Sequence, residues 1–150
     1  MRTAPAAAIR FAVVATTALV AAACSARPPE SIVLELRTAS SSTAFMPDTL
    51  SAPAGATVTL RLTNEGDIAH NLVVVRDEEA VQPIVLAAYT AIATQYVPTG
   101  FDDDLLASIP LVYPGRTLEV TFTMPQAGSY TYVCVFPGHG STMRGVIVAR

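Results

Sequence analysis

The sequence predicts an all-β domain: a two-sheet sandwich with Greek-key connections and one helical insert. Three observations carry that reading. Several segments of strand length alternate apolar and polar residues, each bounded by turn residues. A single stretch, residues 77–108, carries helical spacing instead. Of the 150 residues, 51% are hydrophobic and 14% charged, enough to build a core and to exclude a disordered chain.

The N-terminus reads as an address. Residues 1–10 hold Arg2 and Arg10 and no acid, and residues 11–23 (FAVVATTALVAAA) form an unbroken run of apolar and small residues. That run is shorter than the roughly 20 residues a membrane span needs. A basic start, a short apolar run and small residues before a break describe a secretory signal. The break, Ala21-Ala22-Ala23-Cys24, resembles a bacterial lipoprotein box, with Ala21 where Leu is usual. The alternatives are cleavage at an A-x-A site and an uncleaved anchor. We expect a signal peptide over residues 1–23, cleaved before a lipidated Cys24, then a tether over residues 24–31 and a folded domain over residues 32–150. The mature domain would then lie outside the cytoplasm, periplasmic or at the cell surface, held to the membrane by its lipid. All nine cations are Arg; without residues 1–23, seven remain against twelve acids, a balance of −5. Such a chain is not built to bind nucleic acid.

Along the body, residues 32–37 (IVLELR) alternate. Residues 57–63 (TVTLRLT) alternate after Ala54-Gly55 and stop at Asn64-Glu65-Gly66-Asp67. Residues 71–76 (NLVVVR) follow. Residues 117–123 (TLEVTFT) alternate after Tyr113-Pro114-Gly115, residues 129–136 (SYTYVCVF) after Ala127-Gly128, and residues 146–149 close the chain. In the insert, Asp77-Glu78-Glu79 suits a helix start, because acids are favoured at the positive end of the helix dipole. Val85, Ala88, Tyr89, Ile92 and Tyr96 then share one helical face. Pro83 either opens or kinks that helix, and Val97-Pro98-Thr99-Gly100 ends it. The insert is expected to cap an open end of the sandwich. Asp102-Asp103-Asp104 is expected to be a solvated loop, the sharper alternative being a docking patch for a cationic partner.

The chain has two His (His70, His139) and two Cys (Cys24, Cys134). That excludes multi-zinc modules and disulfide-stapled scaffolds. The last strand and turn runs Cys134-Val135-Phe136-Pro137-Gly138-His139-Gly140-Ser141-Thr142-Met143, and His70 opens a strand far upstream. A thiolate, two imidazoles and a weak thioether are the ligand set of a blue-copper electron-transfer site. Cys134 ends a strand whose side chain can point into the end of the sandwich. Pro137-Gly138 turns the chain so that His139 returns to the same point, and Met143 starts the next strand. Each residue alone has an ordinary explanation: an edge His, a small buried Cys, a Met filling the core. Together they point to one metal.

These residues resemble the cupredoxins, and within them the azurins and auracyanins. The resemblance rests on Cys134-x-Phe136-Pro137-Gly138-His139-x-x-x-Met143-x-Gly145 and on Asp67-Ile68-Ala69-His70-Asn71. Phe45-Met46-Pro47 and Ala54-Gly55-x-x-Val58 add to it, and it covers about residues 32–150. It implies a Greek-key sandwich holding one type 1 copper that carries single electrons. By position, His70, Cys134 and His139 would be the equatorial ligands and Met143 the weak axial one. The Ala69 carbonyl would approach from the opposite side. Asn71 would tie the His70 strand to the Cys134 loop, and a backbone N–H near Phe136 would donate to the Cys134 sulfur. Pro137 has no N–H to add. The loop of Phe136, Pro137, Gly138 and His139 would be the electron port. The implied partners are redox proteins that dock transiently on a monomer: cytochromes, reaction centres or oxidoreductase complexes. Asp67 and the Asp102-Asp103-Asp104 run would steer a cationic one. Two features depart from azurin: there is no structural disulfide, and Val135 stands where azurin has a hydroxyl.

Two other classes compete. Cys134 and His139 could be the nucleophile and base of a thiol hydrolase, although no acid or amide in the loop is placed to orient the imidazole. A zinc-binding or copper-delivery protein outside the cytoplasm is the other. Met is a poor zinc ligand, and delivery favours His- or Met-rich segments that this chain lacks.

Overall fold

The computed structural model describes residues 30–38 and 43–150. The expected signal peptide, Cys24 and the tether as far as residue 29 lie outside the described residues. Two sheets face each other. Strands β1 (Ser31–Thr38), β2 (Phe45–Met46), β4 (Thr57–Asn64) and β7 (Thr117–Thr123) make one, in the order β2-β1-β4-β7. Strands β3 (Thr49–Ala52), β5 (His70–Val75), β6 (Leu105–Val112), β8 (Gly128–Val133) and β9 (Arg144–Ala149) make the other, in the order β3-β9-β8-β5-β6. β1 runs parallel to β4 and β3 parallel to β9, while the remaining pairs are antiparallel. The two parallel pairs arise because the chain crosses between sheets, as a Greek-key sandwich requires.

Alternation does what the pattern requires. In β4, Val58, Leu60 and Leu62 are fully buried, while Thr59, Arg61 and Thr63 point outward. On that outer face Thr59 pairs with Thr121 and Thr63 with Thr117, and Arg61 bridges Glu35 and Glu119. Such exposed ion pairs contribute about 0–1 kcal/mol each, so the buried leucines hold the sheet. Opposite them sit Leu72, Val74, Ile109, Tyr132 and Ile147 of the second sheet.

β5 is buried at all six positions because both of its faces are covered. Leu72 and Val74 enter the core between the sheets. Val73 and Val75 face outward and meet Val81, Ile84 and Ala88 of helix α1 (Val81–Ala88), together with Val133 and Val135. The near-continuous apolar run of residues 71–76 is therefore a doubly covered strand.

Three expectations are corrected here. The insert covers the outer face of the five-stranded sheet, not an open end of the sandwich. It also does not form one helix as far as Tyr96. α1 ends at Ala88, a one-turn 3-10 helix spans Ile92–Thr94, and Gln95 turns left-handed. The hydroxyls of Thr90 and Thr94 donate to the carbonyls of Ala87 and Ala91, a local alternative to helical bonding. Pro83 sits in the first turn of α1, where its missing N–H costs nothing. Glu78 opens a 3-10 turn (Glu78–Ala80), and its carboxylate bonds Thr131 and Arg144, tying the insert to β8 and β9. Finally, residues 105–108, assigned to the insert from sequence, belong to β6, an edge strand that tolerates Pro110. Asp102 and Asp103 are exposed in the turn before it.

Candidate metal centre

β5 and β8 are neighbours, with Val73 opposite Val133 in antiparallel register. The start of β5 and the end of β8 therefore meet at one end of the sandwich, where His70 begins one strand and Cys134 follows the other. His70 is fixed from behind by Asn64, a fully buried amide. Asn64 Nδ2 donates to the carbonyls of Ile68 and Val112, each at 2.8 Å, and its Oδ1 accepts from Thr38 and from the Gly66 N–H. Val112 is the β6 partner of His70, so this one side chain sets both the turn into His70 and the strand beside it.

After Cys134 the chain turns back on itself. Gly138 adopts φ 87°, a conformation other residues rarely take. The His139 N–H donates to the Phe136 carbonyl at 3.0 Å, and the Met143 N–H donates to the His139 carbonyl at 2.9 Å. The Cys134 N–H donates to the Met143 carbonyl at 2.9 Å, which closes the loop. These backbone bonds return His139 and Met143 to Cys134.

The result is a compact cluster. Ligand atoms of His70, Cys134 and His139 lie within 4.8 Å of one another. Cys134 Sγ is 3.9 Å from His70 Nδ1 and 3.6 Å from His139 Nδ1, so both imidazoles turn the same nitrogen toward the sulfur. Cys134 and Met143 are 0% exposed, His70 1% and His139 9%, which leaves His139 as the donor residue nearest the surface. Met143 shares the core cluster that holds Cys134.

Burial sets the electrostatics. Burial, and then repulsion from His139, lowers the His70 pKa to about 4; burial lowers His139 as well. Both rings are therefore neutral at pH 7, the form that binds a metal. Burial raises the Cys134 thiol to about 11, opposed by hydrogen bonds from the backbone N–H groups of Asn71 and Phe136. A buried thiol of this kind ionises when a cation sits beside it, and a bound metal does that. Neutral imidazoles, a sulfur prepared by two N–H donors and a nearby thioether make a donor set that fits copper. The cluster offers no carboxylate, and none contributes to either imidazole's shift. For a hydrolase the thiol is also in the wrong place, since a fully buried Sγ cannot reach a substrate.

The supporting residues divide into those the sequence suggested and those it did not. Asn71 Oδ1 accepts the N–H of Val135 and of Phe136, both at 2.9 Å, and lies 3.5 Å from Cys134 Sγ. Phe136 and Pro137 are half-buried, Gly138 is exposed, and Ala69 is half-buried just ahead of His70. Not foreseen were Asn64, the second N–H donor to sulfur at Asn71, and the contacts from the insert. Tyr89 Oη accepts the Gly138 N–H at 3.2 Å, and Val85 packs so closely on Gly140 that a Cβ there would sit 2.8 Å from a Val85 methyl. None of these has a local sequence signal: Asn64 depends on how β4, β6 and the turn into β5 meet, the Asn71 N–H on the pairing of β5 with β8, and the Tyr89 and Val85 contacts on where the insert lands.

A Greek-key sandwich with a buried His-Cys-His set and an adjacent Met at one end defines a cupredoxin with a type 1 copper site. The family model for copper-binding proteins of the plastocyanin/azurin family matches residues 32–150, and the chain belongs to that family. It is 34% identical over 122 residues to auracyanin-A of Chloroflexus aurantiacus, covering 79% of this chain and 75% of that one. It is 31% identical over 103 residues to an azurin of Pseudomonas putida, covering 63% of this chain and 79% of the relative. The fold superposes on solved auracyanin A with a TM-score of 0.75 at 35% identity, covering 80% of this chain and 99% of that one. Dithionite-reduced auracyanin of Roseiflexus castenholzii gives 0.74 at 26% identity, covering 81% and 98%.

Proposed function

We propose that this protein is a mobile one-electron carrier on the outer side of the cytoplasmic membrane, held there by lipid on Cys24. The observation that carries the reading is the burial pattern: three donors enclosed around one point, with His139 nearest the surface. His70, Cys134 and His139 would hold the metal, with the Met143 thioether and the Ala69 carbonyl as weaker donors. Copper, when bound, supplies a centre that gains or loses one electron.

The chain's own residues do the rest. The loop bonds among Phe136, His139, Met143 and Cys134, and the Asn71 tie, keep the donors in one arrangement in both redox states. Little then reorganises when an electron moves. The N–H groups of Asn71 and Phe136 stabilise negative charge on the sulfur, and Pro137 offers no further donor. The uncharged loop of Phe136, Pro137, Gly138 and His139 gives a small apolar landing surface, suited to docking that is weak and brief. Asp67, exposed just ahead of His70, would steer a cationic partner toward it; the Asp102-Asp103-Asp104 turn, expected to share that role, lies instead at the far end of β5, where Leu105 pairs with Val75 and the Arg76 N–H donates to the Asp104 carbonyl. The partners would be membrane-associated redox proteins such as cytochromes, reaction centres or oxidoreductase complexes, met by a monomer. The basic, then apolar, N-terminus ending at Cys24 supports export and anchoring. Among the described residues no helix is long and apolar enough to cross a membrane.

The test is a visible absorption spectrum of the purified protein loaded with Cu(II), beside Cys134→Ser. An intense blue charge-transfer band, bleached by reductant and missing in C134S, is expected. A colourless but folded protein refutes the reading and brings zinc binding or thiol chemistry forward.

A further inference from the structure

Among the described residues, two that are not glycine take positive φ, and they are consecutive: Gln95 at 56° and Tyr96 at 63°. Left-handed backbone is disfavoured for residues of this size, so two in a row persist only where surrounding contacts demand it. Beyond the local turn bonds from the Gln95 N–H to Ile92 and from the Tyr96 N–H to Ala91, the contacts made at this corner lead to the metal loop or to the strands that hold it. The Gln95 carbonyl accepts Asn71 Nδ2 at 3.0 Å. Gln95 Oε1 accepts the Leu111 N–H of β6 at 3.0 Å. The Tyr96 ring meets Phe136 edge-on, with centroids 5.0 Å apart and planes at 70°. Phe136 in turn lies 5.0 Å from the His139 ring.

We propose that the Gln95-Tyr96 corner is a positioning element for the copper loop, with Gln95 orienting Asn71 and Tyr96 orienting Phe136. Asn71 must present its oxygen to two N–H donors, those of Val135 and Phe136. Turned over, its NH₂ would face those donors, and its oxygen would face the Gln95 carbonyl. The Gln95 carbonyl therefore selects the orientation in which Asn71 holds residues 135 and 136. Tyr96 packs edge-on against Phe136, which also lies against His139, so the Phe136 backbone, whose N–H donates to Asn71 Oδ1, cannot shift without breaking an edge-to-face contact. The tyrosine hydroxyl plays no part in this.

The test reads the copper-free protein first and rests on the copper reading only in its second arm. Amide hydrogen exchange is followed in wild type, Tyr96→Ala and Tyr96→Phe. All three place a side chain at the same left-handed position, so the comparison isolates the ring. In Y96A the Val135 and Phe136 amides are expected to exchange at least tenfold faster, with Leu60 and Leu62 unchanged. Y96F should stay within twofold of wild type. With Cu(II) bound, Y96A should shift the charge-transfer spectrum and Y96F should not. Unchanged exchange at residues 135 and 136 in Y96A overturns the proposal, as does Y96F failing as badly as Y96A. If Y96A does not fold, Tyr96→Leu is read by the same criteria. A colourless wild type with the expected exchange pattern would refute the copper function and leave the positioning role standing.

Discussion

Replacing Asn71 with Leu tests how much of the site's rigidity comes from one buried amide. Leu has the same branching as Asn but no hydrogen-bonding group, so the change removes the hydrogen bonds while filling the space. Asn71 is 0% exposed and makes four such bonds: it accepts from the Val135 and Phe136 N–H groups and, weakly, from the Cys134 thiol, and donates to the Gln95 carbonyl. The Gln95 carbonyl belongs to an exposed residue and can turn to water at little cost. The Val135 N–H cannot, because Val135 is 1% exposed under α1. A buried donor left without a partner costs about 1–3 kcal/mol. Assigning about 2 kcal/mol to Val135 and about 1 to the half-buried Phe136 gives a loss of about 3 kcal/mol. That is a large part of the roughly 5–15 kcal/mol by which small domains are stable, and it lowers Tm by about 10 °C. Urea unfolding of the copper-free protein measures it, with the midpoint falling at unchanged slope. A loss below about 1 kcal/mol would show that the two N–H groups find other partners and that Asn71 is not the pin described here.

Two further predictions rest on other parts of the molecule. Gly145 lies opposite Tyr132 in the β8–β9 register, and a Cβ there would overlap the Tyr132 ring and the Asp48 carbonyl. Tyr132 is fully buried and bonded to the Pro47 carbonyl at 2.7 Å, so it cannot retreat; Gly145→Ala should cost about 3 kcal/mol or prevent folding, and a loss under about 1 kcal/mol in urea unfolding would contradict the packing. The copper-free protein should also weaken in mild acid. His70 titrates near 4 when folded against 6.5 when unfolded, so the unfolded chain takes the proton first. Stability is complete above pH 6.5 and falls as pH drops toward 4, by about 3 kcal/mol from His70 at 1.36 kcal/mol per pH unit, with His139 adding in the same direction. Denaturation of the copper-free protein at pH 7.5 and 4.5 gives the difference, and equal stabilities would mean that the imidazoles are not buried neutral.

The sequence carried the strands of the core because their burial alternates, and alternation is local. β4 could be read residue by residue, whereas in β7 only Phe122 is buried, Val120 is half-buried and Leu118 is exposed. β6 was hidden because Pro110 and the preceding helical spacing masked its pattern, and its place at a sheet edge is a property of the whole fold. The long helix was over-read for a related reason. Val85, Ala88 and Tyr89 do occupy helical turns, but the spacing to Ile92 and Tyr96 continued past the point where threonine hydroxyls and contacts to the metal loop ended the helix.

The sequence by itself determined which donors exist. Cys134, His139 and Met143 lie within ten residues, so a single backbone-bonded turn brings them together and their spacing is legible. Tertiary structure alone decided the rest. His70 is 64 residues from Cys134 and reaches it only because β5 and β8 pair. Tyr89, Gln95 and Tyr96 brace the loop, and Asn64 the turn into His70, from segments with no sequence relation to it. A donor's identity is a property of one residue, but its rigidity is a property of everything packed against it.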